Sequence, residues 1–148
     1  VEGSGFSFIP SYDIDIAYSY LHKGFVRNAF GSVQSLLKLK LKNIAQRVKV
    51  LSGNKKDPFD NYEWLDIMHE RYKLNPTYFF LVADKNGLYD KNVLPQFAAM
   101  KELIIDHAKK YAIGVHPSWQ SGDDFSLLQK EKKTLESVTG KVIDKLFI

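Results

Sequence analysis

Six consecutive apolar residues, Tyr78-Phe79-Phe80-Leu81-Val82-Ala83, constrain this chain more than any other feature. A run so short and uniform suits a strand buried on both faces, the situation of an inner strand in a parallel sheet. Asn75-Pro76 breaks the chain just before it, and a polar loop containing Gly87 occupies residues 84–95 after it. Helical periodicity lies on either side. Trp64, Leu65, Met68 and Tyr72 mark an apolar stripe over residues 61–72. Phe97, Met100, Leu103, Ile104, Ala108 and Tyr111 mark another over residues 97–110.

The rest of the chain extends this alternation. Residues 6–13 read as a first strand containing Pro10, and residues 25–51 as one or two basic amphipathic helices, broken near Gly31 or Lys42. A loop follows at residues 54–58, with Asp57 and Asp60 as candidate caps of the next helix. Residues 112–116 form a short third strand. Asp123 or Asp124 caps a further helix that ends before Gly140, and residues 142–148 suit a fourth, short strand. Strands alternating with helices predict an α/β domain of parallel β/α units with right-handed crossovers. The 148 residues have the size of one domain, with a basic helical insertion over about residues 24–56. A complete (β/α) barrel needs roughly 200–250 residues. Four strands therefore form either an open sheet or about half of a barrel.

Charge is unevenly spread. The net charge is +4, yet no acidic residue stands between Asp15 and Asp57. Lys23, Arg27, Lys38, Lys40, Lys42, Arg47, Lys49, Lys55 and Lys56 fill that interval. It is either a solvated helical face or a surface for an anionic partner, such as phospholipid, acidic glycan or nucleic acid. Cysteine is absent, so any metal must be held by Asp, Glu, His or water. No apolar run approaches the roughly 20 residues of a membrane-spanning helix. The opening residues resemble no signal peptide and carry no initiator Met, which leads us to expect a fragment or a processed chain. Gly3-Ser4-Gly5 precedes the first strand, the wrong context for a phosphate loop, and no serine sits in a nucleophile elbow.

Ligand sites in parallel α/β folds form at the carboxyl ends of strands. Three strand ends here carry ionisable groups: Asp13 with Asp15, Asp84, and His116. Asp13 and Asp15 are two apart, so on an extended strand both carboxylates share a face. Their mutual repulsion would be relieved by a divalent cation, leaving one of them free as a base. The alternative is a turn in which an Asp caps a helix starting near Ala17. Neutral imidazole is a common zinc ligand, so His116 is either a ligand or a histidine bonded to nearby backbone. His22, His69 and His107 have weaker contexts, and His107 falls at its helix's buried stripe. Trp64 is expected to pack. Trp119, in the loop after His116, is placed either to pack partly or to stack on a sugar ring.

These segments resemble the polysaccharide deacetylase family. Ser11-Tyr12-Asp13-Ile14-Asp15 resembles its first motif, and His116-Pro117-Ser118-Trp119-Gln120-Ser121 its second. Asp57-Pro58-Phe59-Asp60-Asn61-Tyr62-Glu63-Trp64-Leu65 and Pro76-Thr77-Tyr78-Phe79-Phe80-Leu81 resemble one bacterial branch. The resemblance implies part of a distorted (β/α) barrel that hydrolyses acetyl groups from N-acetylated carbohydrates. It implies Asp13 as general base, and Asp15 and His116 as ligands of zinc, or of nickel or cobalt. Asp84, Ser118, Trp119 and Gln120 become candidate substrate or supporting residues. Gln120 stands where the family has a second histidine. An amide is a poor zinc ligand, so a weak site, a rebuilt site and no site all follow as expectations. The family's later Arg-containing segment and acid histidine fall beyond Ile148. The chain by itself is therefore expected to be inactive, with unpaired sheet edges that promote self-association.

Two other readings compete. One is a non-catalytic descendant that binds acidic glycan or a membrane surface through the basic stretch. The other is a different metal hydrolase on a similar barrel, acting on a C–N bond of a small molecule. A carbohydrate partner, no nucleic acid and a bacterial cytoplasmic setting are the expectations that accompany the first reading.

Overall fold

The computed structural model describes residues 8–147, apart from the side chains of Phe25, Val26, Arg27, Phe30 and Ser35. Among these residues four parallel strands form one sheet in the order β1-β2-β3-β4. They are β1 (Ser11–Ile14), β2 (Thr77–Leu81), β3 (Ala112–His116) and β4 (Lys145–Leu146). Among the described residues five α-helices fill the connections: α1 (Phe25–Leu37), α2 (Leu41–Leu51), α3 (Tyr62–Tyr72), α4 (Ala98–Lys110) and α5 (Phe125–Thr139). The fold is thus α/β, and strand order follows chain order without a reversal. No helix among the described residues is long and apolar enough to cross a membrane.

Strand pairing explains where the core sits. Tyr12, Tyr78 and Ile113 share one row of the sheet, and Ile14, Phe80 and Val115 share the next row on the same face. Met100, Leu103, Ile104 and Ala108 of α4 and Leu135 of α5 close over that face, with Tyr62 of α3 at its margin. Removing each large apolar side chain from water stabilises the domain by about 1.5–3 kcal/mol. The other face carries the row Asp13, Phe79, Gly114 and Lys145. A Cβ on Gly114 would lie 2.5 Å from two carbons of the Phe79 ring and 3.0 Å from the Lys145 Cβ. Glycine there lets the Phe79 ring lie flat across β3. Gly114→Ala is expected to displace that ring and lower stability by about 1–2 kcal/mol, read from urea unfolding. An unchanged midpoint would show that the ring swings aside freely.

Several expectations need correction. The first strand begins at Ser11, and residues 1–7, which include Gly3-Ser4-Gly5, lie outside the described residues. The basic stretch is two helices whose break, at residues 38–40, falls near Lys42, while Gly31 lies within α1. Trp64 and Tyr72 are exposed, not packed. The buried face of α3 turns on His69 instead. Tyr12 Oη and His69 Nε2 stand 2.9 Å apart, and burial depresses the His69 pKa. His107 is buried as expected, its Nδ1 2.8 Å from the Leu103 carbonyl, and burial depresses its pKa too. Asp124 caps α5 by accepting from Ser126 and Leu127 N–H, and Gly140 ends that helix at φ 66°. Neither Asp57 nor Asp60 caps α3, which has no side-chain cap.

Candidate functional site

Asp15 and His116 come together, and Asp13 stands near enough to feel the charge of both. Asp13 is on β1, Asp15 just past its end, and His116 is the last residue of β3. Asp15 Oδ1 lies 3.3 Å from His116 Nε2, spanning the end of the intervening strand β2. The His116 ring lies flat against Phe147, centroids 5.1 Å apart, which fixes its plane. His116 Nδ1 is 3.0 Å from the Pro117 carbonyl. A carbonyl only accepts, so Nδ1 carries the hydrogen and Nε2 is left facing a carboxylate. A lone pair opposite a carboxylate is repulsive unless a proton or a cation lies between them. The Asp13 carboxyl is raised above the usual range, first by desolvation and then by the charge of Asp15, while His116 opposes the shift.

The cleft beside this pair has a volume of about 630 Å³. Asp15 and His116 line it with Tyr89, Asp90, Trp119 and Asp123. Tyr89 and Trp119 are both exposed, with ring centroids 4.6 Å apart. Asp90, which is buried, accepts the Trp119 backbone N–H at 3.0 Å and so ties together the two loops that carry these rings. No lysine or arginine is among the residues that line the cleft.

The other sequence candidates are placed differently. Asp84 pairs with Lys130 at 2.9 Å and lines a separate cavity between α4 and α5. Ser118 is buried and caps the short 3₁₀ turn Trp119–Ser121. Gln120 is outside the cleft lining, with Nε2 3.2 Å from where a Cβ on Gly87 would stand.

Three buried polar residues that sequence reasoning did not single out for the site hold its loops. Asn92 accepts from Ala17 N–H and Val93 N–H and donates to the Ile14 and Leu81 carbonyls, all within 3.1 Å. It thereby clamps both ends of the segment that carries Asp15. Glu131 accepts from Ser118 N–H at 3.2 Å and Ser121 Oγ at 2.8 Å, securing the loop after His116. Asp57 holds the chain beyond Ala17 by accepting from Ser19, Tyr20 and Leu21 N–H. Hydropathy places all three outside; Asp57 and Glu131 stand beside lysines, and only Asn92 adjoins an apolar pair, Val93-Leu94.

No family model matches the chain, and no curated protein or solved structure matches it either. Among the described residues no three His, Cys, Asp or Glu side chains form a group able to hold a metal ion.

Proposed function

We propose that this chain carries part of the active site of a metal-dependent hydrolase that deacetylates N-acetylated carbohydrates. The observation that carries the reading is the Asp15–His116 pair at 3.3 Å. Two ligands of one tetrahedral zinc ion, each roughly 2.0–2.2 Å from it, stand about 3.4 Å apart. The pair therefore fits two positions of such a site, and its donors, a carboxylate and an imidazole nitrogen, suit zinc, nickel or cobalt. It is an incomplete set, and water or other groups would have to supply the remaining positions. A bound metal would supply Lewis-acid polarisation of an acetyl carbonyl and a water of lowered pKa.

The residues of this chain have separable roles in that reading. Asp15 and His116 hold the ion. Asp13, with its raised pKa, is a better proton acceptor than an ordinary carboxylate and is the base. Tyr89 and Trp119 offer apolar faces for a pyranose ring, held in place by Asp90. The unreversed strand order, with α3, α4 and α5 all contributing to a core on one sheet face, supports a (β/α) barrel arrangement over a doubly wound one. The open face would then be the barrel interior.

Metal binding tests the proposal. Dialysis against zinc followed by metal analysis is expected to load the chain, and Asp15→Ala and His116→Ala should lose the ion. Asp13→Ala should keep it, since its role is the proton. Zinc retained equally by all three variants, or bound by none of the proteins, would sink the assignment.

A further inference from the structure

The helical hairpin of α1 and α2 contributes no residue to the cleft beside Asp15 and His116. α1 and α2 pack on each other, and the hairpin is anchored at its base. There Asn28 Nδ2 donates to the Tyr20 carbonyl, the Arg47 guanidinium sits 5.1 Å over the Tyr20 ring, and Val50 is buried. Arg47 also donates to the Asn28 carbonyl and Ser32 Oγ, locking the two helices together.

The far end is different. Its sequence is Leu36-Leu37-Lys38-Leu39-Lys40-Leu41-Lys42. Leu36, Leu37, Leu39 and Leu41 are 55%, 80%, 83% and 61% exposed. Lys38, Lys40 and Lys42 are exposed between them. Leu39 holds φ at 53°, a left-handed conformation that a branched side chain enters only at a cost. Isolated exposed leucines need no explanation, but four at one turn, interleaved with cations, do.

We infer that this turn docks on an anionic lipid surface, its leucines entering the headgroup boundary while its lysines meet lipid phosphates. Charge complementarity selects that occupant. No acidic residue stands between Asp15 and Asp57, so nothing in the hairpin's own sequence opposes a negative surface. Leucine and lysine together match a bilayer interface, where apolar and anionic layers lie within one side-chain length of each other. A free acidic glycan would engage the lysines alone. The docking is peripheral and independent of the Asp15–His116 site.

Vesicle cosedimentation tests it, with phosphatidylcholine alone against phosphatidylcholine containing phosphatidylserine. The chain is expected to partition only onto the anionic vesicles and to release as salt rises. Replacing Lys38, Lys40 and Lys42 by Gln should weaken partition on the order of a hundredfold. Leu37→Ser with Leu39→Ser should weaken it about tenfold or more at unchanged charge. Thermal melting checks that these exposed changes leave the fold intact. Leucine variants that bind as well as the parent would overturn the inference and leave simple polyanion binding. So would equal binding to neutral vesicles. Self-association lost in the leucine variants, without any vesicle binding, would overturn it in favour of a second copy of the chain.

Discussion

Asp57→Ala is expected to lower folding stability by about 3–5 kcal/mol at neutral pH, because it strands several backbone N–H donors at about 1 kcal/mol or more each. Asp57 is 2% exposed, and its carboxylate accepts four backbone N–H groups at 2.7–3.0 Å, from Ser19, Tyr20, Leu21 and Phe59. Alanine leaves those donors without an acceptor. Asparagine is little better, because its amide nitrogen would point hydrogens at hydrogens. Burial pushes the Asp57 pKa up, but the four backbone donors outweigh it, and the folded-state value is lowered. The sign follows. Stability from this group is fully present above the unfolded pKa of about 3.9 and is lost as pH falls through the lower folded value. Urea unfolding from pH 7 down to pH 3 should show that acid loss in the parent and a flatter profile in the variant. A change under about 1 kcal/mol at pH 7 would mean that water replaces the carboxylate without penalty.

The same residue shows what sequence reading could reach. Asp57 before Pro58 looks like a local cap, because most aspartates at such positions are. Three of its four backbone partners lie 36 to 38 residues back along the chain, a relation no local pattern encodes, and only Phe59 N–H is local. Residues that act through periodicity were legible. The strand at residues 112–116, the Met100, Leu103, Ile104 and Ala108 stripe of α4 and the Asp124 and Gly140 ends of α5 all follow from spacing and end chemistry, whereas Phe97, expected in that stripe, is exposed where the chain enters the helix. α3 misled because hydropathy favours Trp64 and Tyr72. The surface it faces is aromatic and polar, and His69 pairs with Tyr12 there. In the candidate site, strand-end logic brought Asp13, Asp15 and His116 to one place because the sheet is parallel and alternate residues share a face. The same logic named Asp84. Position at a strand end does not fix where a side chain turns, and Asp84 turns to Lys130. The residues that hold the site were hidden for the opposite reason. Asn92 is a buried amide satisfied mostly by distant backbone, and Glu131 is a buried carboxylate with one oxygen held by Ser118 N–H and Ser121 Oγ; composition reads both as surface.

Asn92 gives the prediction that joins fold to site. Its side chain makes four hydrogen bonds while only 2% exposed, two as acceptor and two as donor. Asn92→Ala is expected to cost about 3 kcal/mol, because two N–H groups and two carbonyls lose a buried partner. Asn92→Asp should be worse at neutral pH. Its shape is the same, yet a carboxylate oxygen would face the Ile14 and Leu81 carbonyls, where the amide now donates. That repulsion and the lack of solvent favour the protonated acid, so the new group's folded pKa would rise above its unfolded value of about 3.9. Stability of the Asp variant would then be greatest below that unfolded value and fall as pH rises through the folded one, opposite in sign to Asp57. Unfolding at pH 4 and pH 7 separates the two cases. An Asp variant as stable as the parent at pH 7 would show that the amide protons do not hold the strand ends. Because Ile14 and Ala17 flank Asp15, both Asn92 variants should also weaken any ion held by Asp15 and His116, even at temperatures where the domain stays folded. Unaltered zinc affinity in a folded Asn92→Ala chain would mean that the Asp15–His116 spacing is set by the strands alone.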